Sequence, residues 1–224
     1  MVITLDGPAG SGKSTVARIV AGRLKLPYLN SGYIYRAVTL RALEDGTPFE
    51  DHDAVAALIR DLGLRFEERR GGARVFLDER DVTARLKDPD VTPHVYRIAN
   101  DPFYRGLLVE FQRRFAAPPG VVAEGRDMGT VIFPEAEHKF FLDATTEERA
   151  RRQHRELAAA GHEKPYGDLL REIVARDEHD RGRDVAPLQV APGAHVVSTD
   201  GMTIDEVVET VLRHVAGARG GKSQ

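Results

Sequence analysis

The residues with the plainest chemistry are Gly7-Pro8-Ala9-Gly10-Ser11-Gly12-Lys13-Ser14-Thr15, which fill the pattern G-x-x-x-x-G-K-[ST]. Such a run turns backbone N–H groups toward phosphate oxygens, adds the positive end of a new helix, and sends a lysine to the outer phosphates. The bound molecule is thus expected to be a nucleoside triphosphate, with Lys13 as the catalytic cation and Ser14 as the Mg²⁺ ligand. A similar run, Gly217-Ala218-Arg219-Gly220-Gly221-Lys222-Ser223, is a decoy: Ala216 stands at the first glycine of the pattern and no strand precedes it. Residues 217–224 read as a flexible polar tail.

A phosphate loop fixes the triphosphate but not its use. A guanine-binding switch would need N-K-x-D and D-x-x-G, and the chain has neither. Transfer to a second small substrate needs cations on both sides of the moving phosphoryl group, because its oxygens share the charge. Arg36, Arg126 and the arginines between 149 and 183 come from three separate segments that could converge there. Glu124 ends the apolar run Val121-Val122-Ala123; it either terminates a buried strand or, the preferred reading, faces metal-bound water. Arg151, Arg152 and Arg155 occupy different helix faces, so only part of this group can meet a ligand, and Arg149 or Arg152 is expected to touch the donor nucleotide. The histidines show no metal-ligand spacing.

These residues need a scaffold, and the pattern supplies one. Val2–Asp6 is a strand entering the loop, and Val16, Ile19, Val20 and Leu24 stripe the helix that leaves it. Pro27–Asn30 is a second strand, followed by helices to Leu43 and over Asp53–Leu62. Leu64–Glu67 and Arg74–Leu77 alternate about Gly71-Gly72, a hairpin that interrupts the strand–helix rhythm and marks 63–90 as an inserted subdomain. Helices over Thr92–Ala99 and Phe103–Phe115 precede buried strands Val121–Glu124 and Lys139–Asp143. Between those strands, Gly125-Arg126-Asp127-Met128-Gly129-Thr130 lies where an open α/β sheet binds ligands. Thr145 and Glu148 form a capping-box pattern for an arginine-rich helix ended by Ala158-Ala159-Ala160-Gly161, and Leu169–Asp180 gives its partner. With little apolar surface, this pair over 149–183 reads as a mobile helical lid covering phosphates, in preference to a solvated helical hairpin. A strand at His195–Ser198 and a helix from Thr203 close a single domain, whose core spans 1–62, 91–148 and 184–216.

The chain's 224 residues, 42% apolar and 30% charged, suit one soluble α/β domain, and no run approaches the ~18 apolar residues of a membrane span. The absence of cysteine and of a secretory apolar segment makes the cytoplasm the expected setting. A net charge of −3 argues against coating a nucleic-acid polymer, so the partners should be small molecules. Arginine supplies 26 of the 32 basic residues; planar guanidinium groups suit phosphates, although codon bias accounts for most surface positions.

Together, the glycine loop, Leu29-Asn30-Ser31-Gly32-Tyr33-Ile34-Tyr35-Arg36, the hairpin insertion, Glu124-Gly125-Arg126-Asp127-Met128-Gly129-Thr130 and Arg176-Asp177-Glu178-His179-Asp180-Arg181-Gly182-Arg183 resemble the bacterial cytidylate kinases from Val2 to about Val215. The resemblance implies an α/β P-loop kinase fold: a five-stranded parallel sheet flanked by helices, a small hairpin-containing insertion and a lid. It implies ATP- and Mg²⁺-dependent phosphorylation of CMP and dCMP by a cytoplasmic monomer, with no membrane or nucleic-acid partner. Another small acceptor, such as UMP or a metabolite, is the alternative, followed by a non-catalytic nucleotide-binding regulator. Carried over, the family pattern sets Arg36, Arg126 and Arg183 on the acceptor phosphate, Arg176 and Asp180 at its ribose, and Arg105 and Asp127 at the base beside Ser31. Asn30 stands where many relatives have aspartate, Tyr33 where a small residue is common, and Tyr96 where a base-binding serine is frequent, the tyrosine hydroxyl taking the serine's place. Glu124 keeps the charge of the more frequent aspartate, and with it a role near Mg²⁺.

Overall fold

The computed structural model describes residues 1–69, 72–159 and 161–220. In order, β1 (Val2–Asp6), α1 (Lys13–Leu24), β2 (Tyr28–Asn30), α2 (Ser31–Glu44) and α3 (His52–Arg60) lead to β3 (Leu64–Arg69), β4 (Gly72–Leu77) and β5 (Arg80–Asp81). Then come α4 (Val95–Ala99), α5 (Pro102–Arg113), β6 (Val121–Gly125), β7 (His138–Asp143), α6 (Thr146–Ala159), α7 (Tyr166–Arg181), β8 (His195–Ser198) and α8 (Ile204–Gly220). Five strands pair in the order β2-β6-β1-β7-β8, all parallel, while β3, β4 and β5 make a separate antiparallel sheet.

Helices cover both faces of the parallel sheet, so its strands are apolar on each side. Side chains alternate along β1: Ile3 and Leu5 join Val16 and Val20 of α1, Phe140, and Val208 and Val211 of α8 in one core. Leu29 and Ala123 join Ile34 and Val38 of α2 and Leu108 of α5 in the other. Asp6 has the opposite parity to Leu5. It faces the segment after β6, where its carboxylate accepts from the N–H groups of Met128 and Gly129, each at 2.8 Å. Because β1 and β6 are neighbours in register, Leu5 with Glu124 and Asp6 with Gly125, the glycine loop and the Glu124 segment leave the sheet side by side. Local signals set the helix starts: Asn30 accepts from the Tyr33 N–H, and Asp101 caps α5 ahead of Pro102.

Several expectations are corrected. The hairpin region has a third strand, β5, reached through Asp78 and Glu79 at positive φ; two exposed residues carry no periodic signal. Its Gly71 lies outside the described residues, and Val75, Leu77 and Val82 share the core of α2 and α5. The stretch from 217 is not a tail throughout, since α8 continues to Gly220 and only 221–224 lie outside the described residues. Val207, Val208, Val211 and Val215 anchor that helix, and extension then needs one bond per residue. The helix over 92–99 begins as a 3₁₀ turn, and α7 starts at Tyr166 rather than Leu169. The capping box is half made: Thr145 Oγ1 accepts from Glu148 N, but the Glu148 carboxylate pairs with Arg152 and Asp200 takes the Thr145 N–H. Ala160, expected at the end of α6, lies outside the described residues.

The α6–α7 pair buries Leu169 and Ile173, yet its centre is ionic. Arg149, 2% exposed, makes a two-pronged pair with Asp177 and also donates to Ala144 O at 3.0 Å and to Ala9 O in the glycine loop at 3.1 Å. Removing one partner would strand a buried charge. Asp177→Ala is therefore expected to lower stability by about 3–5 kcal/mol, seen as a fall in Tm of roughly 6–20 °C by thermal unfolding; an unchanged Tm would show that this pair does not hold the helices to the loop.

Candidate active site

The glycine loop adopts the conformation its sequence demands. Gly12 has φ 87°, and a Cβ on Gly7 would fall 2.1 Å from the Leu142 carbonyl oxygen. Gly7, Pro8 and Ser11 are buried beneath the loop, while Ala9, Gly10, Gly12, Lys13, Ser14 and Thr15 line a cleft of about 860 Å³. Lys13 is buried and donates to Pro8 O at 2.9 Å. Burial first, and the Arg126 charge after it, pull its pKa down to about 7, whereas Glu124 acts the other way.

Ser14 Oγ donates to Glu124 Oε1 at 2.7 Å, and Tyr28 OH reaches the same oxygen at 3.4 Å. Asn30 donates to Tyr28 OH at 3.2 Å, so the cap residue of α2 also steadies this carboxylate. A hydroxyl and a carboxylate at the start of α1 are hard donors that suit Mg²⁺, which fills its other places with phosphate and water. Among the described residues no group of three or more His, Cys, Asp or Glu could hold a metal ion.

Opposite the loop, arginines from three elements converge. Arg126 Nε donates to Asp180 Oδ2 at 2.6 Å, and Arg183 lies 3.3 Å from Asp180 Oδ1. That contact is made by Arg183 Nη2, a buried atom that lies within ion-pair distance of the carboxylate but makes no hydrogen bond of good geometry among the described residues. Burial works against the Asp180 charge, but Arg126, with Arg183 and Arg176, holds its pKa below the usual carboxylate range. Arg36 is braced on Leu86 O at 2.8 Å and Thr92 Oγ1 at 2.9 Å. Arg176 also lines the cleft.

A polar pocket closes the far end. Arg105 and Asp127, both nearly inaccessible, hydrogen-bond each other, and Arg105 also donates to Ala99 O at 3.0 Å over the Tyr35 ring. Ser31 packs where a Cβ on Gly125 would come within 2.5 Å of its Oγ, so Gly125 is required for the strand end to lie against α2. Tyr96 lines the cleft nearby.

The structure thus gathers Lys13, Ser14, Ser31, Arg36, Tyr96, Arg105, Glu124, Arg126, Asp127, Arg176, Asp180 and Arg183 around one cleft. It does not bring Arg149 or Arg152 to the cleft wall: Arg149 is consumed by Asp177 and backbone oxygens, and Arg152 by Glu148 and Thr199. Asp180, expected at a ribose, has both oxygens facing Arg126 and Arg183, so its first task is to hold those arginines. Sequence reading missed Asp6, which orders the loop bearing Arg126 and Asp127, and Tyr28. Asp6 was readable as an acid closing an apolar strand, the signal used for Glu124; a tyrosine in a three-residue strand gives none.

A family model described as cytidylate kinase matches residues 3–217. The chain is 46% identical over 212 residues to the cytidylate kinase of Carboxydothermus hydrogenoformans, covering 95% of this chain and 96% of that one. It is 44% identical over 215 residues to that of Symbiobacterium thermophilum, covering 96% and 95%. Among solved structures, an uncharacterized protein from Eubacterium ventriosum matches with a TM-score of 0.52 at 12% identity, over 97% of this chain and 98% of that one, a likeness of fold alone. A family match across nearly the whole chain, together with a phosphate loop facing converged arginines in one cleft, places this chain in the cytidylate kinase family.

Proposed function

We propose that this cleft performs the reaction of its family, transfer of the γ-phosphoryl group of ATP to the phosphate of CMP or dCMP, with the acceptor held by the residues below. The observation that carries the assignment is a single cleft bounded at one end by Lys13 and the glycine loop and at the other by the buried Arg105–Asp127 pair. An acceptor phosphate oxygen forms the new bond to the γ-phosphorus as the bond to the bridging oxygen breaks, leaving ADP. The protein contributes position and charge. Backbone N–H groups of the loop and the start of α1 hold the donor phosphates, and Lys13 follows the charge that develops during transfer. Arg36, Arg126 and Arg183 hold the acceptor phosphate, with Arg176 and Asp180 beside the ribose.

Ser14 and Glu124 would hold Mg²⁺, directly or through water, and the ion would neutralise phosphate charge. Arg149 acts indirectly, fixing the Ala9 carbonyl and hence the loop. The insertion over 63–90 is read as the monophosphate-binding part and the lid over 149–183 as a mobile cover over the phosphates. No helix among the described residues is long and apolar enough to cross a membrane; a cytoplasmic monomer acting on small molecules is part of this reading.

Cytosine offers an amino donor and an N3 acceptor, whereas uracil offers a carbonyl and an N–H. A carboxylate and a guanidinium fixed together complement the first and clash with the second.

Replacing Lys13 with alanine is expected to cut kcat by about 10²–10³-fold, the worth of one preorganised group at developing charge, in a protein whose circular dichroism is unchanged. Near-normal turnover would refute the assignment. Asp127→Asn should narrow the CMP to UMP ratio in kcat/KM by roughly 10–100-fold, one hydrogen bond to a charged group, mainly by harming CMP; equal losses on CMP, dCMP and UMP would make Asp127 a loop cap instead. Burial raises the pKa of Asp6 to about 7 against the two N–H groups that lower it. The carboxylate is therefore charged above pH 7 and loses its hold on Met128 and Gly129 as pH falls through that value. kcat/KM for CMP should drop below pH 7 relative to Asp6→Asn, which shares the substrate's own titration but lacks this step.

A further inference from the structure

His179 is used by none of the roles above, yet it stands on α7 between Arg176 and Asp180, the two residues assigned to the acceptor ribose. Its ring meets that of Tyr96 on α4 edge to face, with centroids 4.2 Å apart and planes at 64°. Asn100, just past α4, brings Nδ2 to 3.5 Å from His179 Nε2. Both rings line the cleft, so this contact joins two of its walls across the acceptor half. Tyr96 also sits between cations of both walls: burial lowers the pKa of Arg36 and of Arg176, and Tyr96 is among the groups acting in the opposite direction on each.

We infer that Tyr96 and His179 form an aromatic clasp that seats the α7 turn bearing Arg176 and Asp180 against α4, so that the acceptor half of the cleft is ordered before the acceptor arrives. An edge-to-face pair sets ring position as well as contributing attraction, because the positive ring edge seeks the negative face. His179 is three residues from Arg176 and adjacent to Asp180, so fixing its ring fixes the rotation of that turn. The donor half does not depend on the clasp. There α7 is tied to the glycine loop through Asp177, Arg149 and Ala9, and the buried Asp177 and Arg149 do not line the cleft. Losing the clasp therefore leaves the donor site in place and makes the acceptor supply the ordering of the turn, which lowers its apparent affinity. The inference rests on the assignment of Arg176 and Asp180 to the acceptor side.

The test is steady-state kinetics on the full chain with CMP varied at saturating ATP and the reverse, together with calorimetric binding of CMP, for Tyr96→Ser, Tyr96→Phe, His179→Ala and the double variant Tyr96→Ser/His179→Ala. Thermal unfolding of each variant verifies folding. Tyr96→Ser and His179→Ala should each raise KM and Kd for CMP about three- to tenfold, the range of an aromatic pair, with KM for ATP unchanged. The double variant should be no worse than the poorer single one, because either substitution removes the same contact. Tyr96→Phe, which keeps the ring, should recover most of the loss seen with serine. An unchanged CMP affinity in His179→Ala, or multiplied losses in the double variant, would overturn the clasp and leave Tyr96 acting on the base alone. Losses in ATP rather than CMP affinity would overturn it by a different route, and Arg176→Ala measured alongside separates the two failures: weakened ATP rather than CMP binding in that variant would bring down the acceptor-side assignment itself.

Discussion

Repulsion between cations is the constraint on which the rest of this structure depends. A cleft that handles two phosphorylated ligands must gather Lys13, Arg36, Arg126, Arg176 and Arg183, and unit charges 4 Å apart repel by about 4 kcal/mol at an effective dielectric of 20. The fold answers with carboxylates placed among the arginines rather than by spacing the arginines out. Asp180 sits between Arg126 and Arg183, Asp127 pairs with Arg105, and Asp177 takes up Arg149. Among the described residues no carboxylate is hydrogen-bonded to Lys13, which donates to Pro8 O, and burial with the Arg126 charge pulls its pKa down to about 7.

Strand order decides where these charges meet. β1 lies between β6 and β7, so the glycine loop and the segment carrying Glu124, Arg126 and Asp127 emerge at one edge of the sheet. Asp6 then joins them from beneath, its two backbone hydrogen bonds fixing the turn that aims Arg126 and Asp127. Burying a carboxylate for this purpose is costly, and its raised pKa records that cost. The returns are rigidity and direction: a loop at a strand end becomes part of the sheet's frame.

Helix α7 connects the two halves of the cleft. Asp177 faces inward to Arg149 and thereby to the glycine loop, Asp180 faces Arg126 and Arg183, and Arg176 and His179 face the cleft. One helix thus carries contacts to the glycine loop, through Arg149, and to Arg126 and Arg183 within a single turn and a half. Its apolar contacts are few, with Leu169 and Ile173 buried, so ionic pairs set its seat.

Patterns confined to neighbouring residues were legible in the sequence. The phosphate loop between strand and helix, the alternation of β3 and β4 and the stripe of α8 depend on residues within a few positions of one another, and there periodicity and turn chemistry suffice. β5 escaped because two exposed residues have no period, and the end of α8 escaped because glycines argue for a stop while a helix already anchored continues. Residue type and spacing marked the glycine loop, Glu124, Arg36, Arg126 and the arginines between 149 and 183, whereas Ser31, Tyr96, Arg105, Asp127 and Asp180 were marked only through the resemblance to the cytidylate kinases. Neither could assign their partners. Ser14 and Glu124 are 110 residues apart, Asp6 and Met128 122, Arg149 and Asp177 28, and Arg126 and Asp180 54. Which arginine faces a ligand and which is spent on a carboxylate is settled only when the sheet brings distant segments together, because an ion pair depends on distance in space and carries no trace in local order.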